Sequence, residues 1–252
     1  MHKIERVTRI LLEKFSKPIA EREMEYLSSS LPRYVNTLNL IPKSSGNKVA
    51  LDIGTGYGHL AFLMKELCGY QVVAADVEMS DYIKERLINY QIKPRQAGFE
   101  AGKSLPFRDS SFDLVLFAEV LEHLLIPPRE VFLEIHRILK IGGAMVCTTP
   151  NICRIDSRLR LLVGKQPQLF LWGARHGVSD PRGHFREWSM EELGFLLKDL
   201  FLIKETKFIS SVGKLGLVKE RKKFKVLYYP YKFLCFLWPS FRDTLAMIGI
   251  KK

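Results

Sequence analysis

Cysteine is scarce in this chain: Cys68, Cys147, Cys153 and Cys235 are the only four, and no two form a Cys-x-x-Cys pair. Their spacing speaks against a zinc ribbon or a disulfide framework and fits the reduced thiols of a cytoplasmic protein. Long apolar runs are missing too. Nothing approaches the roughly 18–20 residues that cross a bilayer, and the aromatic stretch 233–238 is far too short. At the N-terminus Glu5 and Glu13 interrupt the helical pattern before the apolar core of a signal peptide can form. Internal repeats and low-complexity segments are absent.

What is present suffices for one folded domain. The 252 residues are 47% hydrophobic and 26% charged, enough apolar material for a core without staples. The net charge of +12 is uneven: residues 1–150 hold 19 basic and 18 acidic side chains, residues 151–252 hold 20 and 9. Such an excess favours an anionic partner, whether nucleic acid, acidic lipid or a phosphorylated substrate, although a solvated basic face explains it equally well.

The apolar pattern sets the order of elements. Residues 2–16 space Ile4, Val7, Ile10, Leu11 and Phe15 as a helix, and a second helix follows Pro18. Residues 48–53 then read as a buried strand, 59–67 as a helix, 71–75 as a strand and 81–90 as a helix. Strands at 112–118 and 144–148 flank an amphipathic helix at 129–139. This alternation predicts a parallel sheet with right-handed crossovers. Residues 151–187 carry six Gly and Pro and read as a long excursion. Ser189, with Glu192 three positions on, predicts a capped helix over 190–200. Two last strands are expected at 201–209 and 244–250, with a basic, aromatic segment at 219–242 between them.

The strongest local signal is Leu51-Asp52-Ile53-Gly54-Thr55-Gly56-Tyr57-Gly58, a strand that feeds a glycine turn and then a helix. Glycine there lets a ligand approach the backbone, and the helix N-terminus offers free N–H groups. Asp76 ends the next strand, 22 residues after Gly54, where a carboxylate can accept both hydroxyl protons of a ribose. The dinucleotide pattern is G-x-G-x-x-G, whereas here the glycines fall as G-x-G-x-G. Asp52 would also repel a pyrophosphate, but it suits the cationic amino group of a methionine moiety.

At this point the sequence resembles the class I S-adenosylmethionine-dependent methyltransferases. Residues 52–58 look like their first motif and Asp76 like their ribose-binding acid, with Val77 beside it. Ser104-Leu105-Pro106-Phe107-Arg108-Asp109-Ser110-Ser111-Phe112-Asp113 looks like the "LPF…FD" stretch that leads into their fourth strand. Phe117-Ala118-Glu119-Val120-Leu121-Glu122-His123 resembles the end of that strand. Where the family often carries an acid near the adenine, this chain has Ala101, with Glu100 as the substitute. The resemblance implies a Rossmann-like, doubly wound α/β sheet of seven mostly parallel strands, with an antiparallel C-terminal hairpin. It implies cofactor contacts from Asp52, Gly54, Thr55, Gly56, Gly58, Asp76, Val77, Glu100 and Glu119. The expected layout is an N-terminal helical flap (1–44), a cofactor-binding core (45–150) and a substrate side within the same domain (151–252).

Glu119, Glu122 and His123, with His184 downstream, are similar to the E-x-x-E-H plus distant His of small-RNA 2′-O-methyltransferases and of some quinone-pathway O-methyltransferases. That likeness implies a divalent cation held by Glu119, Glu122, His123 and His184. The plainer account is preferred: Glu119 lines the cofactor pocket, Glu122 makes an ion pair and His123 packs locally. His184 then stands as the candidate general base, or simply as a loop residue. The expected enzyme is a cytoplasmic O-methyltransferase of a small-molecule, glycan or lipid-linked acceptor. Residues 219–242 read with equal weight as a segment that contacts acidic membrane peripherally and as an apolar cover over the acceptor pocket. The alternatives are a metal-assisted RNA 2′-O-methyltransferase, weakened by the lack of an RNA-binding module, and a non-catalytic cofactor-binding scaffold.

Overall fold

A computed structural model describes residues 4–15, 21–45, 47–168, 183–210 and 225–252. The basic cluster Lys219, Arg221, Lys222 and Lys223 lies outside the described residues, as do 169–182 of the excursion. The elements run α1 (Ile4–Lys14), α2 (Glu21–Leu38), β1 (Val49–Ile53), α3 (His59–Cys68), β2 (Gln71–Asp76), α4 (Asp81–Asn89) and β3 (Lys93–Gln96). They continue β4 (Phe112–Ala118), α5 (Pro128–Ile138), β5 (Leu139–Pro150), α6 (Ile155–Leu162), α7 (Met190–Leu197), β6 (Phe201–Ile209), α8 (Lys225–Leu237) and β7 (Thr244–Lys251).

The seven strands form one sheet in the order β3-β2-β1-β4-β5-β7-β6. Strands β3, β2, β1, β4 and β5 pair in parallel, and β7 is antiparallel to both its neighbours. The expected doubly wound, mostly parallel sheet with a C-terminal hairpin is therefore present. Period-two alternation divides the core between the two faces. Ala50, Leu114, Leu116 and Val146 join the layer built with α1, α2 and α3. Leu51, Val115, Phe117 and Met145 join the layer built with α5 and α7. The N-terminal helices belong to the first layer, since Val7, Leu11, Phe15 and Leu27 are buried in it.

Three boundaries differ from the sequence reading. Strand β3, Lys-Pro-Arg-Gln, has no apolar alternation to announce it; it is an edge strand, where Pro94 is tolerated. Strand β5 begins at Leu139, five residues before the expected start, because α5 runs into it without a loop and Gly142, at φ 74, lies inside the strand. Helix α7 stops at Leu197 rather than 200. Its start is as expected: Ser189 and Glu192 form a reciprocal capping box, which contributes about 1 kcal/mol.

Candidate active site

Sheet order reverses between β1 and β4, and their carboxyl ends open a crevice there. Strand β1 carries Asp52 to this end and then turns through the glycine loop. Gly54 has φ 75, and a Cβ on it would lie 2.3 Å from Val120 Cγ2, so only glycine fits. Gly56 has φ 53 and open space where its Cβ would be. Asp76, at the tip of β2, accepts a 2.8 Å hydrogen bond from the Gly56 N–H. Asp52 is buried and accepts from the Thr55 hydroxyl at 2.7 Å. Burial pushes its carboxyl up to about 7; the Thr55 bond opposes this and the nearby Asp76 charge adds to it. Gly58, with φ 83, caps α3.

A residue unforeseen from sequence completes this end. Arg33 of α2 reaches over the crevice and donates from Nη1 to Glu119 Oε2 at 3.0 Å and from Nη2 to the Tyr26 hydroxyl at 2.9 Å. Burial opposes its charge, but the Glu119 carboxylate outweighs that and holds the guanidinium more firmly protonated than usual. Nothing local marks Arg33, which stands 86 positions from its partner. Glu119 also accepts from Thr148 Oγ1 at 3.0 Å, and its backbone sits at φ 57.

Of the four residues named for a divalent cation, the structure brings three together. The helical turn after β4 is a short 3-10 turn, Leu121–His123, that starts beyond Glu119. Glu119 therefore turns to Arg33, while Glu122, His123 and His184 converge with potential ligand atoms within 4.8 Å of one another. Glu122 is buried, accepts from Thr149 Oγ1 at 3.0 Å and has His123 Nε2 3.9 Å from its Oε1, and burial raises its carboxyl well above the usual range. The His123 Nδ1 lies 2.9 Å from the Gly183 carbonyl, which can only accept, so the proton is assigned to Nδ1 and the lone pair to Nε2. Burial, with His184 adding to it, lowers the His123 pKa below its ordinary value.

His184 places Nδ1 3.1 Å from Oε1 of Glu187. Glu187 is buried and ion-paired to Arg154, and its carboxyl is held low; burial opposes this, but His184 and Arg154 together outweigh it. A carboxylate on Nδ1 orients the ring and leaves the lone pair on Nε2. The sequence reading named His184 and missed Glu187, although the three-residue spacing was visible.

Two expected cofactor residues lie toward the surface. Val77 is exposed just past β2, and its carbonyl accepts from Gln96 Nε2 at 3.2 Å. Glu100 is exposed and paired with Lys103 at 2.7 Å. A cavity of about 470 Å³ lies at the carboxyl end of β6, lined by Asn36, Phe208, Ser210, Pro239 and Arg242 among others.

Residues 51–147 match the family model described as "Methyltransferase domain". An uncharacterized protein of Methanocaldococcus jannaschii is 31% identical over 117 residues, which are 45% of this chain and 47% of that one. The match thus spans about half the length of that curated relative. Among solved structures, a chain of the complex between the Haloferax volcanii Trm112 methyltransferase activator and a methyltransferase superposes with TM-score 0.62. It is 17% identical and covers 95% of this chain and 97% of that one. Phosphoethanolamine N-methyltransferase 2 of Haemonchus contortus, bound to phosphomonomethylethanolamine and S-adenosylhomocysteine, gives 0.58 at 17% identity, over 87% and 52% of the two chains. At these identities the structural likeness is one of fold. Residues 51–147 thus match a methyltransferase domain, and the seven-stranded sheet they belong to has the fold of these solved methyltransferases.

Proposed function

We propose that this chain transfers a methyl group from S-adenosylmethionine to an oxygen of a small-molecule, glycan or lipid-linked acceptor. The observation that carries the reading is the set Asp52, Asp76 and Arg33–Glu119 around a glycine loop whose Gly56 faces open space. That set suits both ends of the cofactor. A carboxylate at the tip of β2 accepts ribose hydroxyls. A zwitterionic amino-acid end needs an anion for its ammonium and a cation for its carboxylate, and Asp52 and Arg33 offer them. When bound, S-adenosylmethionine supplies a methyl group already activated by a sulfonium. The protein then has to align the acceptor and take up its proton. Alignment alone contributes on the order of 7–11 kcal/mol.

Asp52 makes cofactor binding pH-dependent. Its carboxyl, pushed up to about 7, is neutral below that pH and cannot face an ammonium. The sign follows: ligand binding favours the ionised form, so affinity falls with acid and binding releases a proton. Calorimetry with S-adenosylhomocysteine should find binding about fivefold weaker near pH 6 than near pH 7. Proton release should appear as a dependence on the buffer's ionisation heat. Asp52→Asn should remove both effects; a wild-type affinity flat across that range would take Asp52 out of the site.

His184, oriented by Glu187, is the group to accept the acceptor's proton. His184→Gln should lower kcat by about 10²–10⁴ and leave S-adenosylhomocysteine affinity unchanged, and dialysis against EDTA should leave turnover intact. A second reading, a metal-assisted RNA 2′-O-methyltransferase, draws on the convergence of Glu122, His123 and His184. Their two imidazoles and a carboxyl suit a divalent cation. Turnover lost on chelation and restored by Mg²⁺ or Mn²⁺ would favour it. Labelled methyl transfer assayed across hydroxylated small molecules, glycans, lipid-linked acceptors and RNA tests the main reading. Protein that binds S-adenosylhomocysteine but methylates none of them would point to the scaffold alternative.

A further inference from the structure

Two exposed apolar surfaces lie outside the site, and they meet. Helix α8 packs inward through Cys235, which is 5% exposed, and through Tyr231, whose hydroxyl lies 3.4 Å from Ser210 Oγ. Its opposite side shows Tyr229, Phe233 and Phe236, 62–76% exposed and spaced as one helical stripe. Trp238 follows at 51%. Helix α6, far away in sequence, turns out Leu159, and Leu162 and Val163 follow at its end, at 55–81% exposure. Arg158 joins the two: its guanidinium sits 5.1 Å over the Phe241 ring and donates to Ser240 Oγ at 3.2 Å. The Phe241 ring in turn lies 5.6 Å from that of Trp238.

Apart from Asp156 in the first turn of α6, which pairs with Arg154, the charges on both stretches have one sign. Residues 157–165 carry Arg158, Arg160 and Lys165 and no acid; residues 229–242 carry Lys232 and Arg242 and no acid. We propose that α6, α8 and the turn after α8 form one docking surface for an anionic lipid bilayer. Amphipathic rings settle at headgroup level while the flanking cations meet acidic lipid. No helix among the described residues is long and apolar enough to cross a membrane, and the proposed contact is a peripheral one. A second copy is the poorer occupant. In a two-fold pair each patch faces its own image, which would set these cations against one another.

Vesicle flotation tests this without cofactor or turnover, so its failure leaves the methyl-transfer reading standing. The full-length protein should float with vesicles of phosphatidylglycerol and phosphatidylcholine in equal parts. It should float far less with phosphatidylcholine alone, and should be released by salt through screening. The double variant Leu162→Glu with Phe236→Glu changes two side chains that are 81% and 76% exposed. It should lower the partition on the order of a hundredfold and keep wild-type affinity for S-adenosylhomocysteine. Ile141→Glu, on another surface and 81% exposed, should leave flotation unchanged. The proposal is overturned if the wild type does not float with the anionic vesicles, or if the double variant floats as well as the wild type. It is also overturned if sedimentation finds a dimer that the double variant dissolves.

Discussion

Glu23→Ala is expected to cost about 3–5 kcal/mol of folding stability. Glu23 of α2 is fully buried. Its carboxylate accepts from Arg86 Nη1 and Nη2 at 2.5 and 3.2 Å and meets His59 Nε2 at 3.0 Å. On its other side His59 Nδ1 lies 3.1 Å from the Tyr34 hydroxyl. Burial lowers the His59 pKa, although Glu23 opposes this. Truncation would remove the carboxylate that faces the Arg86 guanidinium, which lies 4.9 and 5.1 Å from the Phe15 and Tyr82 rings. Breaking one partner of a buried pair is costly because the other keeps its desolvation penalty, whereas removing both is far milder. Glu23→Ala with Arg86→Met should therefore recover a large part of the loss. Urea melts read this as a midpoint shift at constant slope. A single-variant loss under about 1 kcal/mol would mean that the pair contributes little. The same change should weaken S-adenosylhomocysteine binding, since α2 carries both Glu23 and Arg33.

What the sequence disclosed and what it hid follow from how local each signal is. Strand β1, the glycine loop, α3 and β2 were legible because each follows from adjacent residues: an apolar run, turn chemistry, a 3.6 period, a terminal acid. The same holds for the cap at Ser189 and for the two last strands. Strand β3 was illegible because an edge strand of Lys-Pro-Arg-Gln buries little and pairs on one side only. The start of β5 was misplaced because Gly142-Gly143 carries the signature of a helix stop, yet here serves a strand that follows its helix without a loop. Arg33, Glu23 and Glu187 act through partners that the fold supplies, and the first two stand 86 and 63 positions from theirs. Glu119 shows the limit of spacing arguments: i, i+3 and i+4 share a face only if the helix includes the first residue, and here it begins two residues later.

Gly56→Val is expected to abolish cofactor binding, with affinity for S-adenosylhomocysteine falling beyond a hundredfold, while the protein stays folded. The two central glycines of the loop differ in what a side chain would meet. At Gly54 it strikes Val120 at 2.3 Å, so a substitution there damages the fold and says little about a ligand. At Gly56 it meets nothing within 4 Å, so the branched side chain projects into the crevice itself, next to the carboxylate of Asp76 that the Gly56 N–H now holds. The positive φ of 53 adds strain of about 1–2 kcal/mol for a residue with a Cβ, which a domain of this size absorbs. Gly56→Ala fills less of the space and should keep measurable binding at about a tenth of wild-type affinity. Thermal melts separate the two effects. A Gly56→Val protein that melts within a few degrees of wild type and still binds S-adenosylhomocysteine normally would reduce the loop to a turn and remove the central support for the cofactor site.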